Sequence, residues 1–245
     1  MKTIEHSEIT LQGRVIAYRL RRSKRRSVGL MIDHEGLTVT APVRMPVRQM
    51  TSSLHDKASW ILAKLDKWAD QAPPEARILE SGTRLPYLGG ELDLHIVPHP
   101  TRACTRVERD QGCLTVEVDR HLQGDMRTNT IRKGLERWYR RQAENEFPQR
   151  TARYAEQLGR YPSRIVIRSQ KRRWGSCDSK GIIRLNWRLI GASPDLIDYV
   201  CAHEVAHLVE ANHSPAFWAV VEKLVPDWKA RRQRLNATAG IFVPF

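Results

Sequence analysis

The stretch that decides the fold runs from Cys201 to His213 and reads CAHEVAHLVEANH. Residues four apart lie on one face of a helix, so His203 and His207 would place their imidazoles one turn apart, within reach of a single ion. Glu204 projects from the next position, beside that ion. A His-Glu-x-x-His pattern on a helix is typical of a zinc site that carries its own general base.

The helix around this motif is apolar on several sides, and apolar helices are largely buried. Burying two imidazoles and a carboxylate is costly unless an ion compensates, which favours a metal site. Ser193 and Pro194 supply the start of the helix, as its N-cap and first residue. The apolar positions are Leu196, Ile197, Val200, Cys201, Val205, Leu208 and Val209.

A third ligand must come from beyond the helix. Structural zinc usually has four protein ligands, whereas catalytic zinc keeps one position open for water. His213, six residues after His207, is the next histidine along the chain. Glu210 and Glu222 are alternatives, because some zinc enzymes use a glutamate from a later helix. Asn212 is a candidate left-handed cap that would turn the chain back.

Composition indicates a globular protein of one or two domains. The chain has 245 residues, 41% of them hydrophobic, and a formal net charge of +14, which predicts attraction to polyanions such as nucleic acid or nucleotides. No stretch approaches the ~20 apolar residues of a membrane span, and the N-terminus has no apolar core of a signal peptide. The four cysteines form no C-x-x-C pair, so we expect no disulfide framework, a reducing compartment and a cytoplasmic location. They are Cys104, Cys113, Cys177 and Cys201.

Hydrophobic periodicity predicts an α+β fold in two parts. Residues 1–124 read as a β-rich region with short strands and one helix over 47–69. Residues 125–245 begin with a long helix to Leu158, which Pro148 should kink or interrupt and Gly159 should end, followed by a small sheet-and-helix part. No internal repeat is found in the sequence.

Two groups of basic side chains are candidate polyanion contacts. One lies between the first strands, and the other covers one side of the long helix. Exposed basic side chains with no such partner are the alternative interpretation. The groups are Arg19, Arg21, Arg22, Lys24, Arg25 and Arg26, and Arg132, Lys133, Arg137, Arg140 and Arg141.

Four motifs follow one another between Gln170 and Trp218. They are RWGSC at 173–177, LNWRL at 185–189, HEVAH at 203–207 and NHSPAFW at 212–218. In these motifs the chain resembles the bacterial YgjP-like metallopeptidase-domain proteins, relatives of the SprT and WLM zinc proteases, and the resemblance extends over most of the chain. It implies a small zincin-like domain over 125–245, with the His-Glu-x-x-His helix at its floor. It also implies His203, His207 and His213 as ligands of one zinc ion and Glu204 as the catalytic base.

The motif and the resemblance together predict a zinc metallopeptidase. Zinc held by three imidazoles lowers the pKa of its water towards ~7 and polarises the scissile carbonyl, while Glu204 accepts the proton and passes it to the leaving group. A second electrophile for the oxyanion is expected from Arg173, Tyr199 or Asn212. The segment from Trp174 to Cys177 is a candidate edge strand for an extended peptide. The candidate substrate-binding residues are therefore Arg173, Trp174, Gly175, Ser176, Tyr199 and Asn212. Cys177 itself is interpreted as a buried structural thiol.

Two other functions remain open. A metal-dependent phosphohydrolase acting on nucleotides such as nucleoside triphosphates would use the same zinc and the surrounding arginines. A nucleic-acid-binding module with structural zinc would need no base, so Glu204 argues against it. The positive charge further suggests that a peptidase would act on nucleic-acid-associated proteins.

Overall fold

A computed structural model describes residues 4–33, 36–69, 78–100, 105–170, 173–238 and 245, and Cys104 lies outside them. The chain divides into two compact units, Met1–Glu75 and Ala76–Phe245. No helix in the described ranges is long and apolar enough to cross a membrane. Six helices and three mixed sheets appear in the described part, which confirms the predicted α+β class.

The first unit is a four-stranded sheet followed by two helices. The strands lie in the order β1-β2-β4-β3, with β2 and β4 parallel and the two outer pairs antiparallel. Alternating residues of β2 and β4 pack against the two helices in one buried core. The elements are β1 (Ile4–Leu11), β2 (Arg14–Ser23), β3 (Gly29–Asp33), β4 (Gly36–Pro42), α1 (Val47–His55) and α2 (Ala58–Ala69).

The single helix predicted over 47–69 is wrong, because the structure has two helices that are separated at Asp56 and Lys57. The amide of Lys57 bonds to the carbonyl of Leu54 at 3.2 Å, a tighter turn than the α-helix makes. Leu54 and Ala58 are both buried on the two sides of this turn. The apolar spacing therefore continues across the break, which is why periodicity alone predicts one helix.

The second unit begins with a sheet that repeats the strand order of the first. Its order is β5-β6-β8-β7, with β6 and β8 parallel and the outer pairs antiparallel. The segment LTVT at 37–40 corresponds in position to LTVE at 114–117. The sequence predicts no internal repeat, and the structure corrects this prediction, because the strand order of the first sheet recurs in the second. The strands are β5 (Arg84–Tyr87), β6 (Gly90–His99), β7 (Arg106–Asp110) and β8 (Cys113–Asp119).

Helix α3 (Gly124–Leu158) covers this sheet. It continues past Pro148, so the interruption predicted there is wrong. A proline inside a helix removes one hydrogen bond from the ladder, and its ring crowds the carbonyl of residue i−4. Packing holds the rest together, since Phe147 and Thr151 on either side are fully buried. Gly159 ends the helix as predicted, with φ of 62°.

The predicted division at 124/125 differs from the observed division after Glu75. Ile131 and Leu135 of α3 share one core with Leu114 and Val116 of β8. The β5–β8 sheet therefore belongs to the unit that carries the histidines, although in sequence it resembles the β-rich N-terminal part.

A third, three-stranded sheet and three helices complete the second unit. The strand order is β10-β11-β9, so β10 lies at an edge, antiparallel to β11. A 3-10 turn over Trp187–Gly191 leads from β11 into the helices. The elements are β9 (Arg164–Arg168), β10 (Gly175–Cys177), β11 (Ile182–Asn186), α4 (Pro194–Ala206), α5 (Pro215–Leu224) and α6 (Trp228–Thr238).

Candidate metal centre

Helix α4 and the segment after it bring three histidines together. His203 lies in the last turn of α4, His207 is its C-cap and His213 precedes α5. One potential ligand atom from each lies within 4.8 Å of the others, and neither Glu210 nor Glu222 belongs to this group.

The orientation of the imidazoles suits a tetrahedral ion. The Nε2 atoms of His203 and His213 are 3.1 Å apart, close to the ~3.3 Å that separates two nitrogens bound to zinc at 2.0–2.1 Å in tetrahedral geometry. Nδ1 of His207 lies 3.1 Å from the carbonyl oxygen of Glu210, an interaction that leaves Nε2 as the nitrogen available to a metal. Three imidazoles are a donor set that zinc favours, so the residues fit the ion.

Aromatic rings pack around the histidines. Phe217 stacks on His207 with ring centroids 4.4 Å apart, and Trp218 lies 5.7 Å from His213. Ser214 positions both, because its hydroxyl accepts from the amide of Phe217 and caps α5. Trp218 in turn stacks on Trp228 of α6 at 4.2 Å. These rings limit the directions in which the imidazoles can turn.

Burial keeps the imidazoles of His203 and His207 neutral. Burial, followed by the neighbouring His207 and His213, lowers the pKa of His203 to about 3. The pKa of His207 is also lowered, again mainly by burial. Neutral imidazole is the form that binds metals, so near pH 7 these two rings have no proton to lose before binding.

Glu204 is a buried carboxylate next to this group. Only 4% of the residue is exposed, and Oε2 has no hydrogen-bond partner in the described part of the chain. Burial raises its pKa to about 8, while the charge of Arg173 opposes the shift. Gly175 packs directly against it, because a methyl group there would lie 2.5 Å from Oε1. Without a metal the group would keep its proton near neutral pH, whereas a cation bound beside it would favour the carboxylate, the form that can accept a proton.

Most of the predicted substrate-binding residues meet at one cleft of about 200 Å³ beside Glu204. Arg173, Trp174, Gly175 and Tyr199 line it, together with Val200, His203, Glu204 and Leu235. Ser176 lies next to them in the edge strand β10.

Asn212 differs from its prediction. It is exposed and is not among the residues that line the cleft. It also has no positive φ, so the predicted left-handed cap is wrong. The chain instead turns through tight backbone bonds after the helix, from the amides of Leu208 and Val209 to the carbonyls of Val205 and Ala206.

Cys201 is a buried thiol, whereas Cys177, predicted to be buried, is only partly buried, and both lie outside the group of possible ligands. Burial, with the nearby charge of Glu204, raises the pKa of Cys177 to about 11. Burial raises that of Cys201 to about 12. Both thiols therefore remain protonated and poorly nucleophilic near neutral pH.

Arg232 is a residue that the sequence reasoning missed. Its guanidinium lies over the ring of Trp218, 5.0 Å from the centroid, and its positive charge contributes to the lowered pKa of His203. It belongs to α6, whose run of arginines shows no feature that separates this one from its neighbours. No local signal in the sequence could have assigned it to the centre.

Some of the predicted basic side chains make contacts within the chain. Arg22 donates to the carbonyls of Pro42 and Met45 at 3.2 and 2.8 Å, and Arg140 pairs with Glu136 at 3.0 Å. These contacts leave fewer guanidinium donors available to a polyanion than the sequence suggests.

Comparison with known proteins identifies one family. The family model described as YgjP-like, metallopeptidase domain, matches residues 26–238, which is most of the chain. The metallopeptidase zymogen of Pyrococcus abyssi abylysin is 24% identical over 38% of this chain and 93% of its own, with a TM-score of 0.35. The zymogen of Methanocaldococcus jannaschii jannalysin is 18% identical over 38% and 97%, with the same TM-score. Likenesses this partial say nothing further about this chain. No curated protein matches the sequence.

Proposed function

The chain belongs to the YgjP-like metallopeptidase-domain family, and from this membership we propose that it is a zinc-dependent peptidase with Glu204 as general base. The family makes it a hydrolytic enzyme of the metallopeptidase class and implies a metal. The identity of the ion, the residue roles and the substrate are proposals. The observation that carries them is the buried Glu204 carboxylate beside three convergent histidines.

His203, His207 and His213 would hold one zinc ion. Three protein ligands leave a position for water and substrate, and zinc bound in this way lowers the pKa of water and polarises a carbonyl. The contact between His207 Nδ1 and the Glu210 carbonyl supports this assignment, because such partners orient ligating histidines.

Glu204 would accept a proton from the attacking water and return it to the leaving amine. Two observations support this role: Glu204 lines the same cleft as His203, and its Oε2 has no hydrogen-bond partner among the described residues. Burial alone raises its pKa to about 8, and the positive charge of a bound metal would favour the carboxylate form.

An extended peptide would lie along β10. This strand is at a sheet edge, so its outer backbone groups can pair with a substrate strand. Arg173 and Tyr199 line the cleft beside Glu204 and are the proposed donors to the oxyanion.

Replacing Glu204 by glutamine tests the base. The variant should retain one zinc per chain and lose at least about 100-fold in kcat on a casein-like protein. Glu144→Gln on the exposed side of α3 is the matched control and should keep full activity. Undiminished hydrolysis by the Glu204 variant would rule out the proposed base.

A phosphohydrolase acting on nucleotides is the second candidate. The observation that favours it is the presence of two cations, Arg173 and Arg232, close to Glu204 and His203. Guanidinium groups bind phosphate well. Nucleoside triphosphates assayed with the same preparation distinguish the two functions, because phosphate or pyrophosphate release without peptide cleavage would favour this one.

Action on nucleic-acid-associated proteins is a further part of the proposal. The net charge of +14 supports it. Adding DNA should then accelerate cleavage of a DNA-binding substrate, and the acceleration should decline as salt is raised.

A further inference from the structure

Asn186 is a buried polar residue outside the cleft, with 3% of its surface exposed. Both hydrogens of its side-chain amide are used. Nδ2 donates to the backbone carbonyl of Gln170 at 2.7 Å and to that of Arg173 at 3.0 Å. Oδ1 accepts from the amide of Arg188 at 3.2 Å. The carboxamide therefore joins the end of β11 to the segment that precedes β10.

The backbone of Asn186 strengthens the same connection. Its amide donates to the carbonyl of Trp174 at 2.8 Å, one step beyond the pairing of Gly175 with Leu185. Asn186 thus bonds the carbonyls of two consecutive residues, Arg173 and Trp174. Gly175, the next residue, packs directly against Glu204.

These bonds end at the wall of the metal centre. Arg173, Trp174 and Gly175 line the cleft together with Glu204. The charge of Arg173 also acts on that carboxylate and lowers its pKa. A shift of this wall by 1 Å changes the position of the cation and of the strand edge relative to the base.

We propose that Asn186 is a positioning residue whose side chain holds the Arg173–Gly175 segment against Glu204. This inference rests on the proposed function, because it assigns Asn186 to the same reaction. Asparagine suits the position for a chemical reason: two donors must face two carbonyls while one acceptor faces an amide. Aspartate keeps the acceptor but sets a carboxylate against two carbonyl oxygens.

The test combines kinetics with hydrogen exchange on the full-length zinc-loaded protein. Asn186→Ala and Asn186→Asp should each retain zinc and lose on the order of 10- to 100-fold in kcat/KM for a peptide substrate. When Arg173→Ala is already present, adding Asn186→Ala should lower kcat/KM by less than about a further threefold, because the effects of residues that act as one unit are not additive. Effects that multiply in the double variant would show that Asn186 does not act through Arg173.

Hydrogen exchange separates positioning from general stability. Amides of Trp174–Cys177 should exchange at least about tenfold faster in Asn186→Ala. Leu94→Ala, which removes a fully buried side chain from β6 of the same unit, is the control. It should lower the unfolding midpoint while keeping kcat/KM near the wild-type value and these amides protected.

Unchanged exchange of the Trp174–Cys177 amides in Asn186→Ala would overturn the proposed positioning role of Asn186, whether or not the enzyme is active. A wild-type protein that hydrolyses no peptide would instead overturn the proposed function. Faster exchange would still support the structural role of Asn186 in that case, so the two failures are distinguishable.

Discussion

At the scale of single residues, burial disfavours the charged forms of the ionisable groups in the candidate metal centre. Burial raises the pKa of Glu204 to about 8, and it lowers that of His203 to about 3. Each shift makes the folded state favour the neutral group. Because the pKa of Glu204 is raised and that of His203 is lowered, the two groups affect stability over different ranges of pH.

The metal-free protein should lose stability between pH 6.5 and 8. A raised Glu204 pKa means that the folded state keeps a proton that the unfolded chain releases above its ordinary pKa of 4.5, so the free energy of unfolding falls as pH rises to about 8. The lowered His203 pKa acts oppositely, but only below 6.5, where the unfolded imidazole binds a proton.

Above pH 6.5 the Glu204 contribution therefore remains, with a slope of at most about 1.4 kcal/mol per pH unit. Urea unfolding of EDTA-treated protein at several pH values measures it. Glu204→Gln should remove the slope, and an equal slope in that variant would assign the effect to another group.

His213 is expected to be the third ligand. His213→Ala should weaken zinc binding by more than about 100-fold, since loss of a ligand costs at least as much as loss of its outer partners. Competition with a chromophoric chelator measures the affinity. His121→Ala, an exposed histidine after β8, is the control and should bind zinc normally. Unchanged affinity in His213→Ala would favour Glu210 or Glu222 as the ligand.

At the scale of elements, α4 is tied to α3 by ion pairs as well as by apolar packing. Asp198 accepts from Arg150 at 2.9 Å and from Arg153 at 2.8 Å, and 14% of its side chain is exposed. Partly buried charges of this kind stabilise a structure only while their partners are present. The attachment matters because α4 carries His203 and Glu204.

Asp198→Ala should destabilise the protein by about 2–3 kcal/mol, because it leaves Arg150 with a poorly exposed and less compensated charge. Guanidinium unfolding midpoints measure the loss. Asp227→Ala provides a matched control, since Asp227 pairs with Arg231 at 2.9 Å but is itself 56% exposed. The Asp227→Ala variant should lose less than about 1 kcal/mol of unfolding free energy. Equal losses in the two variants would contradict a special role for the α3–α4 pairs.

At the scale of the whole molecule, two separate cores accompany a repeated strand order. The buried residues of the first unit form one cluster and those of the second unit another. The three histidines and Glu204 all belong to the second unit. The second unit therefore contains both a complete core and the whole candidate centre.

A fragment of residues 76–245 should fold and bind one zinc ion with an affinity within about threefold of the full chain, because no ligand is lost. Circular dichroism, cooperative unfolding and zinc titration measure this outcome. The same fragment with His213→Ala serves as the negative control for metal binding. A fragment that remains unfolded would show that the first unit is required for the second to fold.

Much of the secondary structure could be predicted because its signals are local. Alternating apolar residues predict β8, and Gly159 predicts the end of α3. The break between α1 and α2 and the passage of α3 through Pro148 were not predictable in this way. In both places, packing of buried neighbours outweighs the preference of the local residues.

The sequence by itself determined the family, the helix that carries His203 and Glu204 and ends at His207, and the order of the elements, since these depend on spacings within a few residues. Only the tertiary structure decided the proximity of His213, the contacts of Phe217 and Arg232 at the centre, and the repeated β2–β4 and β6–β8 pairing. The reason is physical. Periodicity states which face of an element is buried, whereas the partner of that face depends on the packing of segments distant along the chain.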